Sequence, residues 1–218
     1  MTELDVTQYH TLVFDCDGVI LNSNKIKSQA FYEATKHFGH DAADALVKYH
    51  VQRGGISRYA KVKHFIGSIL NREFDEGLYQ DILDRFSLAV KSGLMRCDVI
   101  EGLSELREKT SSKWLIVSGG DENELRQVFA ERNLEQYFDG GIFGSPDTKD
   151  FILERELVEE NIINPALFLG DSKYDYKAAQ AAKMDFVFVS GWTEVDDWEE
   201  FCTANDLDNV SSVTDFLK

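Results

Sequence analysis

The feature that most limits the fold is a unit repeated along the second half of the chain. A short, wholly apolar run stops at Gly, Ser or Asp and gives way to residues with helical spacing. Lys113-Trp114-Leu115-Ile116-Val117 stops at Ser118-Gly119-Gly120, and Ala166-Leu167-Phe168-Leu169 stops at Gly170-Asp171. Phe186-Val187-Phe188-Val189 is a further run, and Gly141-Ile142-Phe143-Gly144 a shorter one. Runs this short and this apolar read as strands buried on both faces. Between them lie a helix around 101–110, one bearing Leu125, Val128 and Phe129, one bearing Ile152, Leu153, Leu157 and Val158, and an alanine-rich one with Ala178, Ala179, Ala181 and Ala182. Asp121 with Glu124 forms a plausible capping box for the second of these. Alternation of this kind predicts a parallel sheet covered by helices on both faces, an open α/β fold.

The first half has one such run. Leu12-Val13-Phe14 opens a strand over residues 11 to 15 and leads into Asp15-Cys16-Asp17-Gly18. Residues i and i+2 of a strand share a face, so Asp15 and Asp17 start side by side and repel unless a cation joins them. Cys16 points the other way and reads as a buried thiol without a redox role. Ile26, Ala30, Phe31, Ala34 and Phe38 then follow helical spacing, with Asn22, Ser23 or Asn24 as candidate cap. The helical reading continues to about Met95, broken only by glycines. Residues 22–95 hold 11 Lys/Arg against 8 Asp/Glu, while the rest of the chain holds 12 against 31. We therefore expect two domains: an α/β core from 1–21 and 96–218, and an inserted helical domain from 22–95.

Composition narrows the partners. A formal charge of -16 argues against nucleic acid or an anionic membrane surface. The three cysteines are scattered, with no CxxC, so neither a disulfide framework nor a zinc site is expected. The first ten residues lack a signal pattern, and no apolar run approaches the roughly 18 residues of a membrane span. The expected location is the reducing cytoplasm.

In open parallel sheets ligands bind beyond the carboxyl ends of the strands. Asp15 and Asp17, Ser118, and Asp171 each stand where a predicted strand ends, and Lys149 follows the third strand closely enough to reach in. Taken singly, each has an ordinary explanation as a turn residue, a helix start or a solvated lysine. Converging on one crevice, they suit magnesium and a phosphoryl group.

With those residues in hand the chain resembles the haloacid dehalogenase superfamily. Four signatures occur in order: Asp15-x-Asp17-Gly18-Val19, Ser118 after an apolar strand, Lys149, and Gly170-Asp171-Ser172-x-x-Asp175. The resemblance implies a three-layer, Rossmann-like parallel sheet with a helical-bundle cap at 22–95. It implies Asp15 as nucleophile toward phosphorus and Asp17 as acid and base. Mg2+ would be held by Asp15, Asp171 and the Asp17 carbonyl, with Asp175 acting through water or orienting that shell. Ser118 and the Gly119 amide would contact phosphoryl oxygens, and Lys149 would offset their charge. Gly54-Gly55-Ile56-Ser57-Arg58 resembles the cap loop with which beta-phosphoglucomutase and its relatives contact substrate. Lys27, Arg53 and Arg58 are the corresponding candidates for substrate contact.

The implied activity is hydrolysis of a small phosphorylated metabolite, a sugar phosphate or phosphorylated sugar acid. A sugar phosphomutase is the alternative, weakened because Lys27 stands ten residues after Asp17, where the mutase carries His. Asp17 argues against a dehalogenase, whose first motif lacks that acid. A phosphonoacetaldehyde hydrolase would need a Schiff-base lysine in the cap, and nothing in the sequence marks Lys48, Lys61 or Lys63 as buried. A non-catalytic binding protein would have little use for the intact acids and lysine.

Overall fold

The computed structural model describes residues 5–217. Its strands are β1 (Thr11–Phe14), β2 (Lys113–Asp121), β3 (Gly141–Ser145), β4 (Ala166–Gly170), β5 (Asp185–Val189) and β6 (Asp208–Val210). They form one parallel sheet in the order β3-β2-β1-β4-β5-β6. Each apolar run of the sequence is a strand, and β1 and β4 are buried along their whole length. Only β6 escaped the pattern. Its three residues lie on the sheet edge and are largely exposed, so it carries no apolar run to find.

Successive residues of β1 face opposite layers. Leu12 and Phe14 join one core with Trp114 and Ile116, closed by Leu103 and Leu106 of α5 (Leu103–Lys109) and by Leu125, Val128 and Phe129 of α6 (Glu122–Glu131). Val13 joins the opposite core with Leu115 and Phe168, closed by Ile152 and Leu153 of α7 (Lys149–Val158) and by Ala178 and Ala179 of α8 (Lys173–Ala181). The result is the expected three-layer α/β arrangement.

Between β1 and β2 the chain forms α1 (Asn24–Thr35), α2 (His40–Gln52), α3 (Arg58–His64), which continues as a π-helical turn, and α4 (Glu76–Leu94). Their apolar faces meet around Phe31 and Phe86, whose rings lie 4.2 Å apart, and around Leu46, Phe65 and Ile82. The segments leading out and back lie side by side: Leu21 bridges Val99, and Ile100 N donates to Ile20 O at 3.0 Å.

Two details differ from the sequence reading. β2 runs on through Ser118-Gly119-Gly120 to Asp121, with a register irregularity against β3 after Val117, so Ser118 sits within an irregular strand rather than at its end. Ser23 is the N-cap of α1 but makes no side-chain cap bond. Its hydroxyl is directed elsewhere.

Candidate active site

β1 lies between β2 and β4, and the chain reverses its direction of travel across the sheet there. The carboxyl ends of β1 and β4 therefore flank the switch point, where open α/β sheets take their ligands. Asp15 follows β1 and Asp171 follows β4.

Asp15 is 3% exposed. Its Oδ1 accepts from Cys16 N at 2.7 Å and from Lys149 Nζ at 2.9 Å. Lys149, the first residue of α7, is buried and also contacts Asp175 Oδ1. Asp175 is fixed in turn by a capping box that opens α8: its Oδ2 accepts from Ser172 N at 3.0 Å and Ser172 Oγ at 2.7 Å. Asp171 Oδ2 accepts from Asn24 Nδ2 at 2.7 Å. Gly18 makes this approach possible, because it has φ +77° and a Cβ there would lie 2.0 Å from Asp171 Oδ2.

Asp15, Asp171 and Asp175 offer oxygens all within 4.8 Å of one another. Burial pushes the Asp15 carboxyl up to about 7 despite Lys149, with Asp175 and Asp17 adding repulsion. Asp171 is raised well above the ordinary carboxylate range by burial, then by Asp15 and Asp175. One lysine does not neutralise three buried acids. An all-oxygen set with excess negative charge suits a hard divalent cation.

Asp17 lies in different surroundings. Ser23 Oγ donates to its Oδ1 at 2.5 Å and Lys27 Nζ pairs with its Oδ2. Burial alone would raise its pKa, but the charge and hydrogen bond of Lys27, with Ser23, hold it below the usual value. Adjacent acids of one motif are thus set apart, Asp15 toward protonation and Asp17 toward the carboxylate.

Asp15, Asp17, Asp171, Gly119, Lys27 and Arg58 line a single cavity of about 50 Å³. Ser118 and Lys149 are buried behind it, with Ser118 Oγ accepting from Gly120 N at 3.1 Å. Arg53 is exposed and lines a neighbouring surface depression with Lys173 and Lys177, outside this cavity. Arg58 forks onto Glu124 at the start of α6 and lies 4.5 Å from the Phe86 ring centroid. Glu124 is thereby taken from the expected capping box, of which only the Asp121 half is made. Tyr59 OH donates to Asp121 Oδ2 at 2.6 Å, a second tie from α3, here to the residue that caps α6. Gly119 lets the 54–56 loop sit on the end of β2, since a Cβ there would lie 2.2 Å from Gly55 O.

Sequence reasoning missed several neighbours. Asn24 passed only as a possible cap, although it joins Asp171 to Trp192 O. Thr193 Oγ1 donates to Asp171 O at 2.6 Å from the loop after β5, which the strand-end rule could have flagged. Lys48 and Lys63 are exposed, whereas Lys61 is buried against the cavity and bonded to His50 Nδ1 at 2.7 Å. Burial, then the charge of Lys27, lowers the Lys61 amine to about 7. Such a lysine destabilises the fold fully below pH 7, and the penalty fades as pH rises toward its unfolded value. Lys61→Met is accordingly expected to raise the thermal midpoint, by more at pH 6 than at pH 10.

No helix is long and apolar enough to cross a membrane among the described residues. Comparison with curated proteins found no match. Solved structures share the fold: a predicted phosphatase from Clostridium acetobutylicum (21% identity, 96% of each chain, TM-score 0.72) and a predicted phosphoglycolate phosphatase from Haemophilus somnus (16%, 84% of this chain and 86% of that one, 0.65). A phosphonoacetaldehyde hydrolase-like protein from Oleispira antarctica is similar too (16%, 99% and 93%, 0.73). The family model for haloacid dehalogenase-like hydrolases matches residues 9–183, most of the chain, and the protein belongs to that family.

Proposed function

We propose that the protein is a magnesium-dependent phosphatase of a small phosphorylated metabolite, a sugar phosphate or phosphorylated sugar acid, working through an aspartyl-phosphate. The observation that carries this reading is geometric: Asp15, Asp171 and Asp175 bring oxygens within 4.8 Å of one another beside Lys149, on a cavity that Asp15, Asp17 and Asp171 line. By the protein's own groups alone the two acids are set against their roles, and a divalent cation beside Asp15 would favour the carboxylate that attack requires.

Asp15 Oδ1 is occupied by Cys16 N and Lys149, which leaves Oδ2 to attack phosphorus. As the Oδ2–P bond forms, the bond from phosphorus to the ester oxygen breaks, and Asp17 delivers a proton to that oxygen. Asp17 must first take up that proton, from water or from a monoanionic phosphate ester, as it releases one of its two partners, and an arriving phosphate offers Lys27 another anion to hold. In the second half Asp17 takes a proton from water, whose oxygen joins phosphorus and releases Asp15. Lys149 and the Gly119 amide offset charge on nucleophile and phosphoryl oxygens. Mg2+ bound by Asp15, Asp171 and the Asp17 carbonyl would neutralise the crowded acids and draw charge from the phosphate, with Asp175 orienting that set. The segment 22–95 acts as a cap that excludes water and selects the leaving group. The names of several similar structures, as phosphatases, agree with this reading.

Purified protein is expected to release phosphate from p-nitrophenyl phosphate with Mg2+ and to stop when EDTA is added. Phosphate release that EDTA leaves untouched would contradict the metal assignment, and no release at all would contradict the phosphatase.

A further inference from the structure

Three cations line the cavity, and two are already satisfied: Lys27 by Asp17 and Arg58 by Glu124. Lys61 is not. It is 2% exposed, and among the described residues no carboxylate oxygen lies within 4.0 Å of its Nζ. Among the described residues the one hydrogen bond of its Nζ is to His50 Nδ1, and burial with the charges of Lys61 and Lys27 keeps that ring neutral. A neutral ring accepts one N–H of an ammonium group and leaves two donors facing the cavity without a protein acceptor. Phe31 packs beside both groups, its ring 4.8 Å from His50 and 5.8 Å from Lys61 Nζ, so water does little to solvate the charge. Asp17 and Glu194 act on Lys61 only from beyond contact distance; a buried cation without a contacting counter-ion costs stability, and here it borders the space a substrate would enter.

We propose that Lys61, steadied by His50, seats a carboxylate of the substrate, so that the ester hydrolysed is the phosphate of a small hydroxy acid rather than of a neutral sugar. This inference rests on the phosphatase reading above. Two N–H donors and one positive charge match one carboxylate. Glu194, held by Ser28 on the same cavity, repels any anion there and a dianion about twice as strongly, so a single carboxylate suits Lys61 better than a second phosphate. The cavity of about 50 Å³ has room for about four water molecules, which fits a phosphoryl group with a short carbon fragment.

Phosphoglycolate and 2-hydroxyethyl phosphate differ only in carboxylate against hydroxymethyl, and comparing them isolates the Lys61 contact. With Mg2+, wild-type protein is expected to favour phosphoglycolate at least tenfold in kcat/KM. In Lys61→Met the ratio between the two esters should fall about 10- to 100-fold, the range for a lost charge-assisted hydrogen bond, mostly through KM for the acid. Thermal melting checks that this variant folds; Lys61→Gln serves in its place if it does not. Equal use of both esters by wild type, or an equal loss for both in the variant, overturns the carboxylate seat while leaving the phosphatase standing. Borohydride trapping of phosphonoacetaldehyde on Lys61 would also overturn it, by making Lys61 a nucleophile. If neither ester nor p-nitrophenyl phosphate is hydrolysed, the phosphatase reading fails and takes this inference with it.

Discussion

Asp15→Asn is expected to lower kcat for a phosphate monoester by about 10⁴-fold or more, the scale on which removing a nucleophile acts, without lowering stability. Asn keeps an oxygen for Cys16 N and Lys149, so the local geometry survives. What it removes is the attacking oxygen and one of three crowded buried acids. The Asp15 carboxyl, raised to about 7 by burial, opposes folding as pH climbs from the unfolded value near 4, because the folded state then holds a proton that the unfolded chain has released. In EDTA at pH 8 the variant should melt at or above the wild-type temperature. Steady-state kinetics and melting curves check the two halves separately: an unchanged rate contradicts the nucleophile, and a markedly lower midpoint contradicts the electrostatic account.

Lys149→Met should have the opposite effect on the fold. Lys149 is 1% exposed and touches both Asp15 and Asp175. Burial would depress its pKa, but those two acids raise it well above the usual lysine value. Removing one partner from a buried ionic group typically costs about 3–5 kcal/mol, because the remaining charges stay buried without compensation. A loss of that size is expected in urea unfolding at pH 8. It should shrink at pH 5, where Asp15, raised by burial, takes up a proton, and on addition of Mg2+, which Asp15 would bind. Turnover should fall about 10²–10³-fold, as when a charge stabiliser is removed from an active site. A loss under 1 kcal/mol at pH 8 would mean that the three acids do not depend on Lys149.

The core was legible because it obeys strong local rules. Strands buried on both faces leave continuous apolar runs such as Leu115 to Val117, and the strand-end rule then singled out Asp15, Asp17 and Asp171. Ser118-Gly119-Gly120 reads as the end of the strand because glycines carry no apolar signal, although backbone pairing keeps that stretch within β2. The surroundings of the acids were less legible because they are tertiary. Nothing local tells that Ser23 would serve Asp17 instead of its own helix, or that Glu124 would leave its cap for Arg58, 66 residues away. Lys61 hid for the same reason. Its helix α3 has only seven residues, four of them basic, and looks solvated until Phe31 and His50 close over it from α1 and α2.

The central claim is that Asp15 carries the phosphoryl group and Asp17 moves the protons. Asp17→Asn tests both at once with p-nitrophenyl phosphate, whose leaving group needs no acid to depart. With Mg2+, a rapid burst of one nitrophenolate per protein is predicted, followed by a stall, because no base remains to activate water. Mass spectrometry of the acid-quenched protein should then find one phosphoryl group on the peptide that contains Asp15. Steady release without a burst, or a phosphoryl group on any other peptide, would contradict the account.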